Sequence, residues 1–242
     1  MQPIDHGVLE KSGRGSGGEA DPIDALGRAM TKILRHEAAT FNLDLRSDGY
    51  CKVDELLKIG MKTRAGIPLS SHSVEEVLQA VKQDNKQRFS TTREDGTLYI
   101  RANQGHSIKE VLSDHLLREI SSTDKIPVCI HGTYKHALPS ILESGLKVMG
   151  RNHVHFATGL PDENGVISGM RSSCQVLIYL DTEKAMADGM KFYVSDNNVV
   201  LTEGFEGCVP CEYFEKVVEW PSKRVIVGPL DRASPAKDAR QL

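Results

Sequence analysis

The stretch that most constrains the fold lies between residues 127 and 157, where two short β-prone runs enclose one amphipathic segment. Residues 127–130 form an apolar run that predicts a strand ending just before His131. Residues 135–144 carry apolar side chains at helical spacing and are followed by Gly145, so a short helix is expected there. Residues 153–157 alternate polar and apolar side chains, which predicts a half-buried strand with two histidines on one face.

Histidine is concentrated in this strand–helix–strand frame. His131 is expected at a strand end, where the Gly132-Thr133 step lets the backbone approach a ligand closely. Histidines at i and i+2 could ligate zinc, although no Asp, Glu or Cys stands at ligand spacing beside them. A pair of H-x-T motifs would indicate a phosphodiesterase, but His155 is followed by Phe-Ala-Thr. Each histidine could equally be a hydrogen-bonded structural residue, so the spacing alone leaves three interpretations open.

Length and composition set limits on the class of protein. At 242 residues, with 39% hydrophobic content, the chain is long enough for two small domains. The longest apolar run, Val176–Leu180, is far shorter than the ~20 residues that span a bilayer, so no membrane association is expected. The formal charge of −3 argues against a broad electrostatic grip on nucleic acid, and any contact with RNA must therefore be local.

Cysteine usage and the start of the chain complete this outline. Five cysteines at irregular spacing are typical of reduced thiols and predict an intracellular protein of the cytoplasm, the nucleus or both. Cys208 and Cys211 form a single CxxC pair, which could serve zinc or redox chemistry but lacks a second pair. Residues 1–20 are rich in Gly and Ser without an apolar run, so they are expected to form a disordered leader.

Residues 21–104 carry the pattern of a helical lobe that ends in a hairpin. Asp21-Pro22 predicts a helix start, Asp54 is expected to cap a second helix, and Ser73 opens a third with a capping box. Residues 88–101 are typical of two strands around an Asp-Gly turn. Helices followed by a hairpin predict a winged-helix-like lobe, a shape that often binds nucleic acid.

Two basic side chains lie near the end of the first predicted helix. On a helical wheel the apolar stripe contains Leu26, Met30 and Leu34. Arg35 points away from this stripe and His36 lies at its flank. Periodicity alone therefore places both at the solvated surface.

The remainder of the chain predicts a β-rich second lobe over residues 127–225. Residues 105–126 are polar and charged and are expected to link the two lobes, while residues 226–242 are expected to form a flexible tail. Three segments of the second lobe have the pattern of strands or a hairpin: 176–180, 191–202 and 217–220. The predicted fold class is therefore α+β with two lobes.

A series of motifs in this chain resembles those of the RNA 2′-phosphotransferases (tRNA 2′-phosphotransferase), relatives of the ADP-ribosyltransferases. The motifs are LRHEA, DNKQRF, IRANQGHS, HGT, GRNHVHFA, GVISGMRS and NNVVLTEG, in order over residues 25–220. The resemblance implies an ADP-ribosyltransferase-like β-rich lobe that binds NAD and an N-terminal lobe that binds RNA and phosphate. The implied partners are NAD as co-substrate and RNA with an internal 2′-phosphate, at a tRNA splice junction. A monomer that uses no metal is expected.

The reaction implied by the resemblance is the last step of tRNA splicing. The 2′-phosphate attacks C1 of the nicotinamide ribose of NAD, which expels nicotinamide and gives RNA-2′-phospho-ADP-ribose. The ribose 2″-hydroxyl then attacks phosphorus, releasing RNA with a 2′-hydroxyl and ADP-ribose 1″,2″-cyclic phosphate. A dianionic phosphate needs no general base, which agrees with Val199 and Val200 standing where protein-modifying relatives carry glutamate. The alternative is an ADP-ribosyltransferase that caps nucleic-acid phosphates and stops after the first step.

The motif match also implies the site residues. Four basic residues match the catalytic tetrad of the family: Arg35, His36, Arg88 and Arg151. Guanidinium groups suit a phosphate and the five-coordinate phosphorus of the second step. Four residues match its contacts to NAD: His131, Gly132, Thr133 and His155. Arg171 is a candidate for a phosphate contact, with a salt-bridged surface arginine as the alternative. Three further cations could widen a local RNA patch or simply be solvated: Lys86, Arg93 and Arg101.

Overall fold

The first helix begins where Asp21 and Pro22 predict it. The computed structural model describes residues 21–126, 128–160, 169–171 and 173–228, and in it helix α1 spans Pro22–Lys32. The Asp21 carboxylate accepts a hydrogen bond from the Ile23 N–H at 2.9 Å, which satisfies one free donor of the first turn. A π-helical turn, Ile33–Glu37, continues α1, and the apolar stripe of both segments is buried.

Two more helices pack beside α1 in a single hydrophobic cluster. Helix α2 spans Val53–Leu57 and α3 spans Val74–Gln83. The predicted capping box is confirmed, because the Ser73 side chain accepts from the Glu76 N–H while the Glu76 carboxylate accepts from the Ser73 N–H. The predicted cap of α2 is wrong. Lys52 is the N-cap residue, and Asp54 lies inside the first turn, where its charge favours the helix dipole.

A three-stranded antiparallel sheet covers these helices. Its strands are β1 (Cys51–Lys52), β2 (Phe89–Glu94) and β3 (Thr97–Ala102), in the order β1-β3-β2. The β2–β3 hairpin is confirmed, and its two-residue turn places Asp95 and Gly96 at φ of 48° and 80°. Positive φ at both positions is what a tight hairpin requires, and an Asp-Gly pair adopts it at little cost.

The second part of the chain is built from short antiparallel strands with three short helices. Its helices are α4 (Ser113–Leu116), α5 (Leu138–Ser144) and α6 (Thr182–Ala187). One sheet has the order β4-β9-β10-β7, with β4 (Arg118–Ile120), β7 (Val154–Phe156), β9 (Phe192–Val194) and β10 (Val200–Thr202). Another has the order β13-β12-β8-β5, with β5 (Ile130–Thr133), β8 (Val176–Leu180), β12 (Phe214–Glu219) and β13 (Val225–Val227). Strands β6 (Leu146–Lys147) and β11 (Cys208–Val209) pair separately.

Strands β5 and β7 join the two larger sheets. Ile130 and Ala157 exchange both backbone hydrogen bonds, at 3.0 and 2.8 Å. The predicted strand end at residue 130 is wrong, since β5 starts there and His131 lies inside the strand. The predicted half-burial of residues 153–157 is also wrong, because all five are buried. Val154 and Phe156 pack in the hydrophobic cluster of the second part of the chain, and the histidines that alternate with them are buried as well, so neither face of the strand meets solvent.

The segment predicted as a connection has structure of its own. Residues 105–126 contain α4 and β4, and β4 pairs with β9 at the edge of a sheet. Residues 225–227, where the expected flexible tail begins, form β13 and pair with β12. Residues 1–20, 229–242 and most of GVISGMRS lie outside the described residues. The described chain is a mixed α/β protein with several antiparallel sheets and few helices. None of the helices described is long and apolar enough to cross a bilayer.

Candidate active site

Arg35 enters the protein interior from the π-helical turn. Its side chain points inward rather than to the surface as the wheel predicts, because the wider turn departs from the helical period. Arg35 is only 9% exposed, and its Nε and Nη2 atoms have no hydrogen-bond partner among the described residues. A Cβ on Gly105, whose φ is +89°, would lie 3.3 Å from the Arg35 Cζ atom. Glycine at position 105 therefore leaves room for a buried guanidinium group.

His36 is held by the same segment. Its Nδ1 atom lies 3.0 Å from the Ser107 hydroxyl, and the Ser107 N–H donates to the Arg35 carbonyl at 2.9 Å. Ser107 thus fixes the backbone of one basic residue and the ring of the next. The predicted surface position is confirmed for His36, which is exposed.

Arg88 is positioned by a short loop between α3 and β2. The Asp84 carboxylate accepts hydrogen bonds from both the backbone N–H and the guanidinium of Arg88. Two asparagines hold the residues before it, since Asn103 Nδ2 donates to the Gln87 carbonyl at 2.8 Å and Asn197 Nδ2 to the Lys86 carbonyl at 2.9 Å. Asn197 comes from the turn between β9 and β10, so both parts of the chain fix this loop.

Arg151 approaches from the loop between β6 and β7. The next residue, Asn152, donates its backbone N–H to the His106 carbonyl at 2.8 Å and its side-chain amide to the Ile108 carbonyl at 2.9 Å. Residues 105–108 therefore support Arg35 and His36 on one side and the Arg151 loop on the other. Their fixed geometry brings residues far apart in sequence to one place.

The four basic side chains are close enough for their charges to interact. Burial, followed by the charges of Arg151 and Arg88, lowers the pKa of Arg35 to about 10. Burial, followed by Arg151 and Arg35, lowers the pKa of His36. Two carboxylates offset these effects only in part: Asp84 acts on Arg35 but is already paired with Arg88, and Glu37 acts on His36 but is paired with Lys32. A cluster with this excess of positive charge suits a multiply charged anion.

A second cluster lies on β5 and β7. The His131 Nδ1–H donates to the His155 carbonyl at 2.9 Å, which leaves its Nε2 as an acceptor. The buried His155 Nε2 has no partner among the described residues, and burial, then the charge of Arg151, lowers the pKa of His155 well below its ordinary value. Thr133 is buried beside them in β5. Two neutral rings next to Arg151 form a polar, uncharged wall.

Gly132 packs closely against another segment of the chain. A Cβ there would lie 3.0 Å from Met170 Cβ and 3.1 Å from Cys174 Cβ, so the missing side chain makes room for this segment. Arg171 lies in that segment. It is exposed, its Nη1 atom is 3.5 Å from the Tyr134 hydroxyl, and no carboxylate pairs with it within the described ranges. Its charge lowers the pKa of Arg151, after burial.

Sequence patterns did not single out His106. It is 2% exposed, neither ring nitrogen has a partner among the described residues, and burial, then Arg35, lowers its pKa to about 3. The NQGHS motif contains it, but periodicity gives no signal for a loop histidine. Arg101, by contrast, pairs with Asp196 at 2.8 Å and lies over the Tyr50 ring, which indicates a structural role.

Other candidate chemistry has a structural explanation. The Cys208 thiol donates to the Ser144 carbonyl and the Cys211 thiol to the Leu142 carbonyl, each at 3.1 Å, so both cap the end of α5. No group of three His, Cys, Asp or Glu side chains suited to a metal ion occurs in the part of the chain that the structure describes.

Fold and site together define an α/β protein with a cluster of basic side chains beside a histidine-lined wall. Comparison with known proteins identifies one family. Residues 21–204 match the model of the RNA 2′-phosphotransferase, Tpt1/KptA family, and the chain belongs to this family. It is 42% identical over 212 residues to "tRNA 2′-phosphotransferase 1" of Danio rerio, a match that covers 85% of this chain and 90% of the fish protein.

Two relatives from yeasts support the same family assignment. The chain is 37% identical over 200 residues to "tRNA 2′-phosphotransferase" of Saccharomyces cerevisiae, covering 80% of this chain and 82% of that protein. It is also 45% identical over 190 residues to a relative from Schizosaccharomyces pombe, which covers 78% of this chain. The chain spans half the length of that last protein, which is 50% covered.

Proposed function

We propose that this protein transfers the internal 2′-phosphate of spliced tRNA to NAD, giving RNA with a 2′-hydroxyl, nicotinamide and ADP-ribose 1″,2″-cyclic phosphate. One observation carries the proposal: Arg35 is buried with two guanidinium nitrogens unpaired, while further cations surround it. A buried charge without a partner is costly, and a bound phosphate would supply the missing acceptors. Family membership and the names of the relatives support tRNA as the source of that phosphate.

The phosphate is held by cations from both parts of the chain. Arg35 and Arg88 grip the 2′-phosphate, Arg151 lies between this phosphate and the NAD ribose, and His36 binds phosphate and carries a proton in the second step. The lowered pKa of His36 keeps the ring largely neutral near pH 7, so that it can accept a proton. His36 Nδ1 is engaged with Ser107, which orients Nε2 outward for this task.

NAD lies along the histidine-lined wall. His131, Gly132, Thr133 and His155 are assigned to it, and the unpaired Nε2 of His155 offers a contact for a ribose hydroxyl. Val199 and Val200, both buried, stand where a catalytic glutamate would otherwise be. Without a carboxylate there, a dianionic phosphate can approach C1 of the ribose unopposed, and it needs no base. Arg171 is a further phosphate contact at the edge.

The finer architecture belongs to the same proposal. The helices with β1–β3, residues 21–104, form a winged-helix-like lobe, and residues 127–225 form an ADP-ribosyltransferase-like lobe. NAD is consumed as a co-substrate, no metal takes part, and the protein acts as a monomer inside the cell, in the cytoplasm, the nucleus or both.

Product analysis tests the function. The protein is incubated with NAD and an RNA that carries one labelled internal 2′-phosphate. We expect equal amounts of dephosphorylated RNA and ADP-ribose 1″,2″-cyclic phosphate. Arg88→Ala should lose this activity, whereas Arg93→Ala, an exposed arginine on the β2–β3 hairpin, should keep it. If the labelled phosphate remains in an ADP-ribosylated RNA, the protein is the capping enzyme instead. If no NAD is consumed, both functions are refuted.

A further inference from the structure

A groove of about 780 Å³ runs along the helical part of the molecule and ends at Arg88. We call it the α1–α3 groove; it is lined by Gly27, Thr31, Lys62, Arg64, Ala80 and Arg88, among others. Small residues form its floor, since a Cβ on Gly27 would lie 4.0 Å from Ala80 Cβ. Arg88 belongs both to this groove and to the cationic cluster around Arg35, so the groove is continuous with the proposed phosphate site.

A rigid loop supplies the free positive charge of the groove. Thr63 is buried, its N–H donates to the Ile67 carbonyl at 2.8 Å, and its carbonyl accepts from the Gly66 N–H at 2.9 Å. Its two neighbours, Lys62 and Arg64, are exposed and both line the groove, Lys62 from a β-bridge with Pro68 and Arg64 from the turn that follows. Neither forms an ion pair with any residue that the structure describes.

The acidic side chains of the groove are already engaged. Asp24 pairs with Arg28 at 2.7 Å, Asp84 pairs with Arg88, and Asp21 caps α1. Among the described residues, the groove therefore presents two unpaired cations besides Arg88 and no unengaged carboxylate to oppose a polyanion. Phe89 is the only aromatic residue in the described part of the lining, and it is buried, so this lining offers no ring on which a base could stack.

We propose that the α1–α3 groove binds the sugar–phosphate backbone of the RNA strand next to the 2′-phosphate, with Lys62 and Arg64 each contacting one flanking phosphate. The proposal rests on the proposed function and adds a second, sequence-independent subsite to it. Backbone contacts fix the register of an RNA without reading its bases. A subsite of this kind accepts splice junctions of any sequence.

RNA length tests the subsite. The double variant Lys62→Ala/Arg64→Ala is compared with wild type on single-stranded 2′-phosphorylated RNAs of roughly three and roughly twelve nucleotides. For the longer RNA we expect about tenfold weaker binding and a salt dependence that falls by about 1.4 in log–log slope, because two phosphate contacts at ~0.7 each are lost. For the short RNA, which does not reach the groove, affinity and turnover should stay within about twofold of wild type.

A matched variant controls for net charge. Lys52→Ala/Lys58→Ala removes two positive charges, both on exposed side chains, from the same part of the chain without touching the groove, and should bind both RNAs like wild type. The subsite is refuted if the groove variant binds the long RNA normally, loses the short RNA equally, or matches the control. Affinity can be measured without NAD, so a failure of turnover in wild type would count against the proposed function alone.

Discussion

Burial of Arg35 with two unpaired guanidinium nitrogens costs folding free energy, and the proposed phosphate contact explains why an arginine stands there. A buried guanidinium with two unpaired nitrogens destabilises the folded protein, whereas an apolar side chain of similar length would fill the same space without that cost. We therefore expect Arg35→Met to raise the free energy of unfolding by about 1–4 kcal/mol while activity is lost. Thermal unfolding and product release check both parts. A variant that is both inactive and less stable would show that Arg35 contributes to the fold instead.

In the proposed mechanism, the second reaction step is expected to depend more on the cations than the first. Nicotinamide is a good leaving group, so the first step mainly needs alignment, whereas the second must stabilise extra charge on a five-coordinate phosphorus. Each lost contact there costs about 3 kcal/mol, or roughly a hundredfold in rate. Arg35→Ala, His36→Ala and Arg88→Ala should therefore accumulate RNA-2′-phospho-ADP-ribose, visible as a slower-migrating labelled RNA.

Arg88→Lys sharpens this prediction. The Asp84 carboxylate fixes the Arg88 guanidinium, and a planar group can give two parallel hydrogen bonds where lysine gives a point charge. Arg88→Lys should therefore accumulate the same intermediate as Arg88→Ala. Release of cyclic-phosphate product in step with RNA consumption, without intermediate at any time, would remove these residues from the second step.

His106 makes the stability of the fold depend on pH. Its folded pKa is about 3, against 6.5 in the unfolded chain, so the unfolded state binds the extra proton between these values. Stability is therefore complete above pH 6.5 and falls as pH drops, with a slope that approaches about 1.4 kcal/mol per pH unit for this one group. His106→Gln should flatten the profile of unfolding midpoint against pH between 6.5 and 4. His136→Gln, at an exposed histidine, should not.

At the scale of elements, local chemistry was readable from the sequence. The caps of α1 and α3 and the β2–β3 turn depend on residues at most four apart, and each is confirmed. The inward turn of Arg35 and the double burial of β7 depend on partners far along the chain. Periodicity assumes a regular helix and a sheet with one solvated face. It therefore predicted the wrong position for the Arg35 side chain and the wrong burial for β7. The motif match identified the candidate site residues, but the hydrogen bonds by which residues 105–108 position them could be seen only in the folded structure.

Asn197 links two elements that the proposed chemistry needs in register. It is 4% exposed, its Nδ2 holds the Lys86 carbonyl, and its Oδ1 accepts from the Ser195 hydroxyl at 2.8 Å. Asn197→Ala should cost about 1–3 kcal/mol of stability and let the Arg88 loop move, so that the intermediate accumulates as in Arg88→Ala but less strongly. Asn198→Gly, exposed and at φ of 57°, is the control because glycine suits that backbone.

A double-mutant cycle separates positioning from simple destabilisation. If Asn197 acts through Arg88, the effect of Asn197→Ala on the second step should largely disappear when Arg88 is already alanine. Independent, additive effects on the rate of product release would mean that Asn197 serves the fold alone. Stability should be measured for all four proteins, because the loss of unfolding free energy is expected in either case.

Over the whole molecule, the two proposed substrates are held by different parts of the chain. The helical part contributes Arg35, His36 and Arg88, while β5 and β7 contribute the histidine-lined wall, and Arg151 stands between them. Two asparagines connect the parts. The Asn152 side chain donates to the Ile108 carbonyl, in the segment that follows the helical part, and the Asn197 side chain donates to the Lys86 carbonyl, in the helical part. We therefore expect each proposed substrate to bind in the absence of the other, and catalysis to require both parts in one arrangement.

His131→Ala tests this division of labour. Among the described residues, the His131 ring contacts the His155 carbonyl and the Phe156 ring, both on β7, and forms no hydrogen bond with the Arg35 or Arg88 loops. Its loss should therefore weaken the use of NAD and spare RNA. We expect the KM for NAD to rise by about tenfold or more, since one buried hydrogen-bonding ring is worth ~1.5 kcal/mol, while the affinity for 2′-phosphorylated RNA without NAD stays within about twofold. Arg88→Ala should show the reverse pattern, and His115→Ala, at an exposed histidine on α4, should show neither. Equal losses of NAD and RNA affinity in His131→Ala would mean that both substrates share one binding surface, and the assignment of separate parts to them would have to be abandoned.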